Sequence, residues 1–317
     1  MTELIKYIVR DGRFGLPRQR AAAPFKQILK WQLSGGRAKW PQHIPNHHYA
    51  PPPHRVNGDR LAVTWIGHAT ALIQTAGINI LTDPFFSKRA SPSQLIGPAR
   101  VRDPGIALKH LPPIDVILLS HSHYDHLDKS ALKSLAKLHK AKLITPLNNA
   151  HHAPWFNAVE LDWHETHEHG SVKITALPAL HWSKRSFSDT NKSLWGAFMI
   201  QTADSNIYFG ADTGFGTGDT FREVRELFGP PRLSLLPIGA YEPRWFMAAQ
   251  HMNPEESVTA HQLLGSMQSI AIHHATVQLT DEPVDAPAIA LVKALKAANL
   301  SSTDFLMPDI GSTTWIN

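Results

Sequence analysis

The chain has 317 residues, 43% of them apolar, a formal net charge of +5 and no cysteine. That length and apolar share suffice for one large core, and the lack of cysteine excludes disulfides and thiolate metal ligands alike. No apolar run approaches the roughly 20 residues of a membrane span and no secretory leader is visible, so a cytoplasmic protein is expected.

Charge is uneven along the chain. Residues 1–60 hold 11 Lys or Arg against 3 Asp or Glu, while the remainder holds 20 against 23. This divides the chain into a basic N-terminal arm with a Pro/His-rich strap, 1–60, and a main domain, 61–317. In the arm, Phe25, Ile28, Leu29 and Gln32 share one helical face, flanked by Lys26 and Lys30. Such a helix suits an anionic bilayer, with Trp31 at the headgroups, and equally the protein's own body. Pro41, Pro45, Pro51, Pro52 and Pro53 make 41–59 an irregular, extended strap.

Beyond the strap, strands are expected near 61–66, 70–75, 78–82, 114–119, 142–145, 171–177, 195–201, 206–210, 232–236 and 269–272. Helices are expected near 129–139, 219–228, 254–267 and 286–298. Asp128 is the N-cap expected for the first helix. Asn253-Pro254-Glu255-Glu256 supplies cap, N1 proline and first-turn acids to the third.

The run His121-Ser122-His123-Tyr124-Asp125-His126 follows the apolar stretch Ile114–Leu119 and precedes a helix. Three imidazoles and a carboxylate in one loop fill a core badly but bind a divalent metal well. The loop also lies at the carboxyl end of a strand, where α/β sheets place chemistry. His121 and His123 point one way while Asp125 and His126 turn off at the helix start, so one loop can serve two metals. Three further candidates end predicted strands: His181, Asp212 before Thr213-Gly214, and His273, which spacing does not separate from His274. The expected arrangement puts His121, His123 and His181 on one ion and Asp125, His126 and His273 on the other. Asp212 would lie between them, since a carboxylate can bridge. Lys184 and Arg185 read as an anion site or a wet loop.

The pattern resembles the metallo-β-lactamase superfamily. Several segments narrow the match: Thr64-Trp65-Ile66-Gly67-His68-Ala69-Thr70, Leu81-Thr82-Asp83-Pro84, Gly210-Ala211-Asp212-Thr213-Gly214 and Pro237–Met247 are similar to N-acylphosphatidylethanolamine-hydrolysing phospholipases D. The resemblance implies an α/β fold, an αββα sandwich of two mixed β-sheets flanked by helices. It selects His273 rather than His274, makes Asp125 and His251 catalytic, and puts Gln94, Tyr124, Gln250 and His251 on the substrate side. Leu95 stands where the mammalian enzyme has tyrosine, which weakens any transfer of headgroup preference.

The expected function is dinuclear hydrolysis by a metal-bridging hydroxide, of phospholipase D type, on N-acylphosphatidylethanolamine or a related phospholipid. The alternative is a lactonase or other carboxyl-ester hydrolase acting on a small molecule. Zinc is the expected metal, and iron or manganese fits the same donors. The expected partners are a phospholipid or small phosphodiester or ester substrate, a membrane inner face touched through the basic arm, and a second copy in a homodimer. Nucleic acid is not expected, despite a sequence pI near 9.4.

Overall fold

Apolar runs too continuous for a one-faced sheet build two sheets covered on both sides. The computed structural model describes residues 4–16, 30–31 and 35–317. A small hairpin, β1 (Ile8–Arg10) and β2 (Arg13–Gly15), precedes both sheets. In chain order there follow β3 (Leu61–Gly67), β4 (Thr70–Thr75), β5 (Ile78–Thr82), β6 (Val116–Leu118), helix α1 (Lys129–Leu138), β7 (Lys142–Pro146) and β8 (Val159–Leu161). The second half holds β9 (Thr166–His169), β10 (Val172–Leu177), β11 (Ala197–Gln201), β12 (Asn206–Phe209), α2 (Asp219–Phe228) and β13 (Leu233–Pro237). It ends with α3 (Arg244–Met247), α4 (Pro254–Leu264), β14 (Gln268–Ile272), α5 (Ala286–Ala297), β15 (Phe305–Leu306) and β16 (Thr313–Ile316).

One sheet runs β16-β3-β4-β5-β6-β7-β8 and the other β15-β14-β13-β12-β11-β10-β9. Both are mixed: β3, β4 and β5 pair antiparallel and β5 to β8 parallel, while β9 to β12 pair antiparallel and β12 to β15 parallel. Alternate residues of one strand feed different layers. Val116 and Leu118 join Ile73, Ile80, Phe198, Phe209, Leu235 and Ile270 between the sheets. Ile117 and Leu119 point the other way, onto Leu132 and Leu135 of α1. Outside the second sheet, Phe221, Val258, Leu264, Leu291 and Leu295 cover Met199, Tyr208, Leu236 and Ala271. These are the helix, sheet, sheet and helix layers of an αββα sandwich.

Start signals act as expected. Asn253 accepts from Glu256 N and the Glu256 side chain accepts from Asn253 N, closing a capping box at α4. Asp128 caps α1 through Oδ1, which accepts from Ser130 N and Ala131 N, and its Oδ2 accepts from Phe86 N and Ser87 N. One buried carboxylate thus staples two loops. We expect Asp128→Ala to cost about 1–3 kcal/mol in denaturant unfolding, because it orphans four amides at once. A loss within experimental error would show that water replaces the carboxylate.

Residues 35–60 carry no helix or strand, in keeping with an irregular strap. The hairpin packs on the body, with Phe14 in a cluster with Trp163, Leu194 and Trp195 and the Tyr7 hydroxyl donating to Asp162. The amphipathic segment expected at 24–33 lies outside the described residues except for Lys30 and Trp31. The Trp31 indole stacks on Phe246 at 5.4 Å, and its Nε1 donates to Asp281 at 2.8 Å.

Candidate metal centre

The candidate residues share one rim of the sandwich because each follows the end of a strand. His68 follows β3, Asp83 follows β5, the 121–126 loop follows β6, and His181, Asp212 and His273 follow β10, β12 and β14. Three of them sit in the left-handed region that L-residues seldom occupy: His68 at φ 56°, Asp83 at φ 32° and His273 at φ 60°. Such conformations persist where surrounding bonds enforce them, and they concentrate at functional sites.

Two buried clusters form there. In the first, His123 Nδ1 lies 2.9 Å from His121 Nε2 and 3.2 Å from His181 Nε2. In the second, Asp125 Oδ2 lies 3.4 Å from His126 Nε2 and 3.5 Å from His273 Nε2. Asp212 stands between them. Its Oδ2 is 3.1 Å from His126 Nε2, 3.7 Å from His181 Nε2 and 4.0 Å from His121 Nε2, and its Oδ1 is 3.1 Å from His273 Nε2. Ligand atoms at about 2.0–2.1 Å from one tetrahedral ion stand about 3.4 Å apart, so both clusters have roughly the spacing a cation requires. His126 Nε2, His273 Nε2 and Asp212 Oδ1 are buried without a hydrogen-bond partner among the described residues. Closely set imidazole nitrogens and carboxylate oxygens are the donor types that a divalent cation takes up together. The donor set therefore fits divalent metal.

The lone pairs are aimed by bonds behind the rings. His126 Nδ1–H donates to Asp83 Oδ2 at 2.7 Å. The same oxygen accepts the Ser120 hydroxyl at 2.6 Å, and Ser120 Oγ in turn accepts His121 Nδ1–H at 2.8 Å. One buried carboxylate thus sets the tautomers of a histidine in each cluster. His181 Nδ1–H donates to the Gln250 carbonyl at 3.1 Å. In all three rings Nε2 is left facing the centre. Sequence spacing assigns no role to Asp83 or His68, because a lone His or Asp after a strand has no ligand spacing.

Electrostatics differ between the clusters. Burial and neighbouring imidazoles lower His121 and hold His123 at about 3, and burial brings His181 to about 4, so these rings are neutral at pH 7. Burial also opposes charge on His126 and His273, but nearby carboxylates outweigh it, raising His126 and bringing His273 to about 9. Burial alone would raise Asp125 and Asp212, yet His126 holds both well below the usual carboxylate range. His273 therefore carries a higher pKa folded than unfolded. Its stabilisation is complete below about 6.5 and is lost as pH rises through about 9. We expect chelator-treated protein to lose thermal stability between these pH values while metal-loaded protein does not. Parallel melting curves for the two forms would contradict this.

The remaining candidates are placed as follows. His251 is buried beside both clusters, with ring centroids 5.1 Å from His181 and 5.5 Å from His273, and it groups with His181 and Asp212. Tyr124 donates its hydroxyl to the Arg185 carbonyl at 2.6 Å. Gln250 contributes its backbone carbonyl to His181, while its side-chain amide faces Met247. Gln94 is exposed, and its amide closes on the Arg89 backbone. Arg185 is half-buried, and its Nη1 donates to the Ser122 and Leu127 carbonyls, clamping the ligand loop. His274 belongs to neither cluster and stacks on Trp65 at 4.7 Å.

The family profile of the beta-lactamase superfamily domain matches residues 78–274, a span containing all seven residues of the two clusters and their bridge. The chain belongs to the metallo-β-lactamase superfamily. It is 38% identical over 266 residues to N-acyl-phosphatidylethanolamine-hydrolyzing phospholipase D 1 of Caenorhabditis elegans, covering 79% of this chain and 74% of that protein. It is 28% identical over 222 residues to a metal-dependent hydrolase of Methanopyrus kandleri, covering 68% and 85%. Among solved structures, an isothiocyanate hydrolase from Delia radicum gut bacteria superposes with a TM-score of 0.63 at 19% identity, covering 80% of this chain and 98% of that one. That likeness bears on fold alone. The protein is a metal-dependent hydrolase of this superfamily. Among the described residues, no helix is long and apolar enough to cross a membrane.

Proposed function

We propose that His121, His123 and His181 hold one divalent cation, that Asp125, His126 and His273 hold a second, and that Asp212 bridges them. In this reading the domain over 61–317 cleaves a phosphodiester of N-acylphosphatidylethanolamine or a related phospholipid in the manner of a phospholipase D. The observation that carries the reading is the position of Asp212, with Oδ2 facing His121, His126 and His181 and Oδ1 facing His273. Five imidazoles and two carboxylates suit zinc, and iron or manganese accepts the same donors.

A pair of such cations lowers the pKa of a held water toward neutrality and neutralises developing charge on a phosphate oxygen. The protein's own groups do the rest. Asp125, kept ionised by His126, would accept a hydrogen bond that orients the attacking water. His251, kept neutral by burial and with Nδ1 unpaired among the described residues, offers a hydrogen bond to the substrate. Tyr124, Gln250 and Gln94 line the approach. The exposed Leu95, Ile96 and Phe187, with the basic arm, would meet the bilayer that presents a phospholipid.

His251→Ala is expected to keep both cations and lose about 10²-fold in kcat. A fall in metal content would instead make His251 a ligand. The phospholipid relative favours phosphodiester over carboxyl ester. Hydrolysis of N-acylphosphatidylethanolamine, with release of phosphatidic acid, tests this directly. Turnover confined to a lactone panel would establish the carboxyl-ester alternative.

A further inference from the structure

The second cluster has a fourth buried neighbour. His68 sits at the turn between β3 and β4, and its Nε2 lies 2.8 Å from Asp125 Oδ2. An ionised carboxylate only accepts, so Nε2 carries the proton and Nδ1 is bare. The two other imidazole nitrogens near that oxygen, on His126 and His273, stand farther off at 3.4 and 3.5 Å. His68 is thus at hydrogen-bonding distance, while the others are at the spacing of donors sharing an ion.

The main chain of His68 acts on the same cluster. Its carbonyl accepts the His273 N–H at 2.9 Å and the Trp65 indole N–H at 2.8 Å, and its own N–H donates to Thr276 Oγ1 at 2.9 Å. These three bonds hold the residue at its left-handed φ of 56°, directly after Gly67 at φ 131°. The ring is 4.0 Å from the His273 ring, centroid to centroid. One residue is therefore bonded to two of the three groups of the second cluster and to none of the first.

We propose that His68 is a positioning residue of the second cation site, holding Asp125 through its Nε2–H and His273 through its main-chain carbonyl. This role presupposes the dinuclear centre proposed above. It sets the affinity of one site without touching the other, so the protein can lose its second cation while keeping its first.

Metal-stripped full-length protein titrated with Zn2+ against a chromophoric chelator tests it, with elemental analysis of the loaded forms. The wild type binds two ions. His68→Ala keeps the first at wild-type affinity and binds the second about 10- to 100-fold more weakly. His68→Gln, which retains an N–H donor at similar reach, restores most of the loss. Unchanged binding in His68→Ala, equal weakening of both sites, or a Gln variant as weak as the Ala variant overturns the proposal; the last would make His68 a ligand. Should His68→Ala fail to fold, the Gln variant decides by the same criterion. A wild type that binds a single ion overturns the dinuclear reading and this role together, whereas two ions with an unaffected variant overturn this role alone.

Discussion

Asp212→Ala is expected to abolish measurable hydrolysis, lowering kcat/KM by at least about 10³-fold, or ~4 kcal/mol of barrier. The bound metal should fall below two ions per chain. The reason is geometric. Oδ1 and Oδ2 face His273 and His126 of the second cluster at 3.1 Å, and Oδ2 also faces His181 and His121 of the first at 3.7 and 4.0 Å, so one substitution removes a donor shared by both. It also removes the charge that opposes burial at His126 and His273, leaving two imidazoles crowded without their principal carboxylate. Metal content by elemental analysis and turnover on the wild-type substrate check both effects. A fully loaded, active Asp212→Ala protein would contradict the bridge.

Gly239→Ala should be the most damaging single methyl near the site. Gly239 follows β13, beside the end of β14, and a Cβ there would stand 2.2 Å from the His273 carbonyl oxygen and 3.1 Å from His274 Cα. No rotamer relieves a clash between a Cβ and a backbone oxygen, so the β14 tip must move. We expect about 1–3 kcal/mol of lost stability in denaturant unfolding, with weakened binding at the second site as His273 shifts. The nearby Ala240 already bears a Cβ at φ 61°, so backbone flexibility does not explain the glycine. Wild-type stability and metal content in Gly239→Ala would show that the loop yields at little cost.

Much of the centre was legible because ligand chemistry leaves a pattern in sequence. The 121–126 run and the strand ends at His181, Asp212 and His273 come together in the fold, where His121, His123 and His181 form one group and Asp125, His126 and His273 another that also includes His68. The helices fall where Asp128 and the Asn253 capping box put their starts. Besides the β1–β2 hairpin, the strands absent from the expectation, β8, β9, β15 and β16, are the four edges of the two large sheets. An edge strand such as Thr-His-Glu-His in β9 is half solvated and needs no apolar run, so periodicity does not reveal it. Asp83 and His68 escaped for a related reason. Their roles come from bonds to side chains and main chain 37 to 208 positions away, and only the folded arrangement discloses these. Charge alone does not disclose that Arg185 Nη1 binds carbonyls of the ligand loop.

The most direct measurement is anomalous diffraction at the metal edge from crystals of metal-loaded protein. The account predicts two peaks about 3.5–4 Å apart, one among His121, His123 and His181 and the other among Asp125, His126 and His273, with Asp212 between. A single peak, or two peaks with the Asp212 carboxylate turned from both, would contradict it.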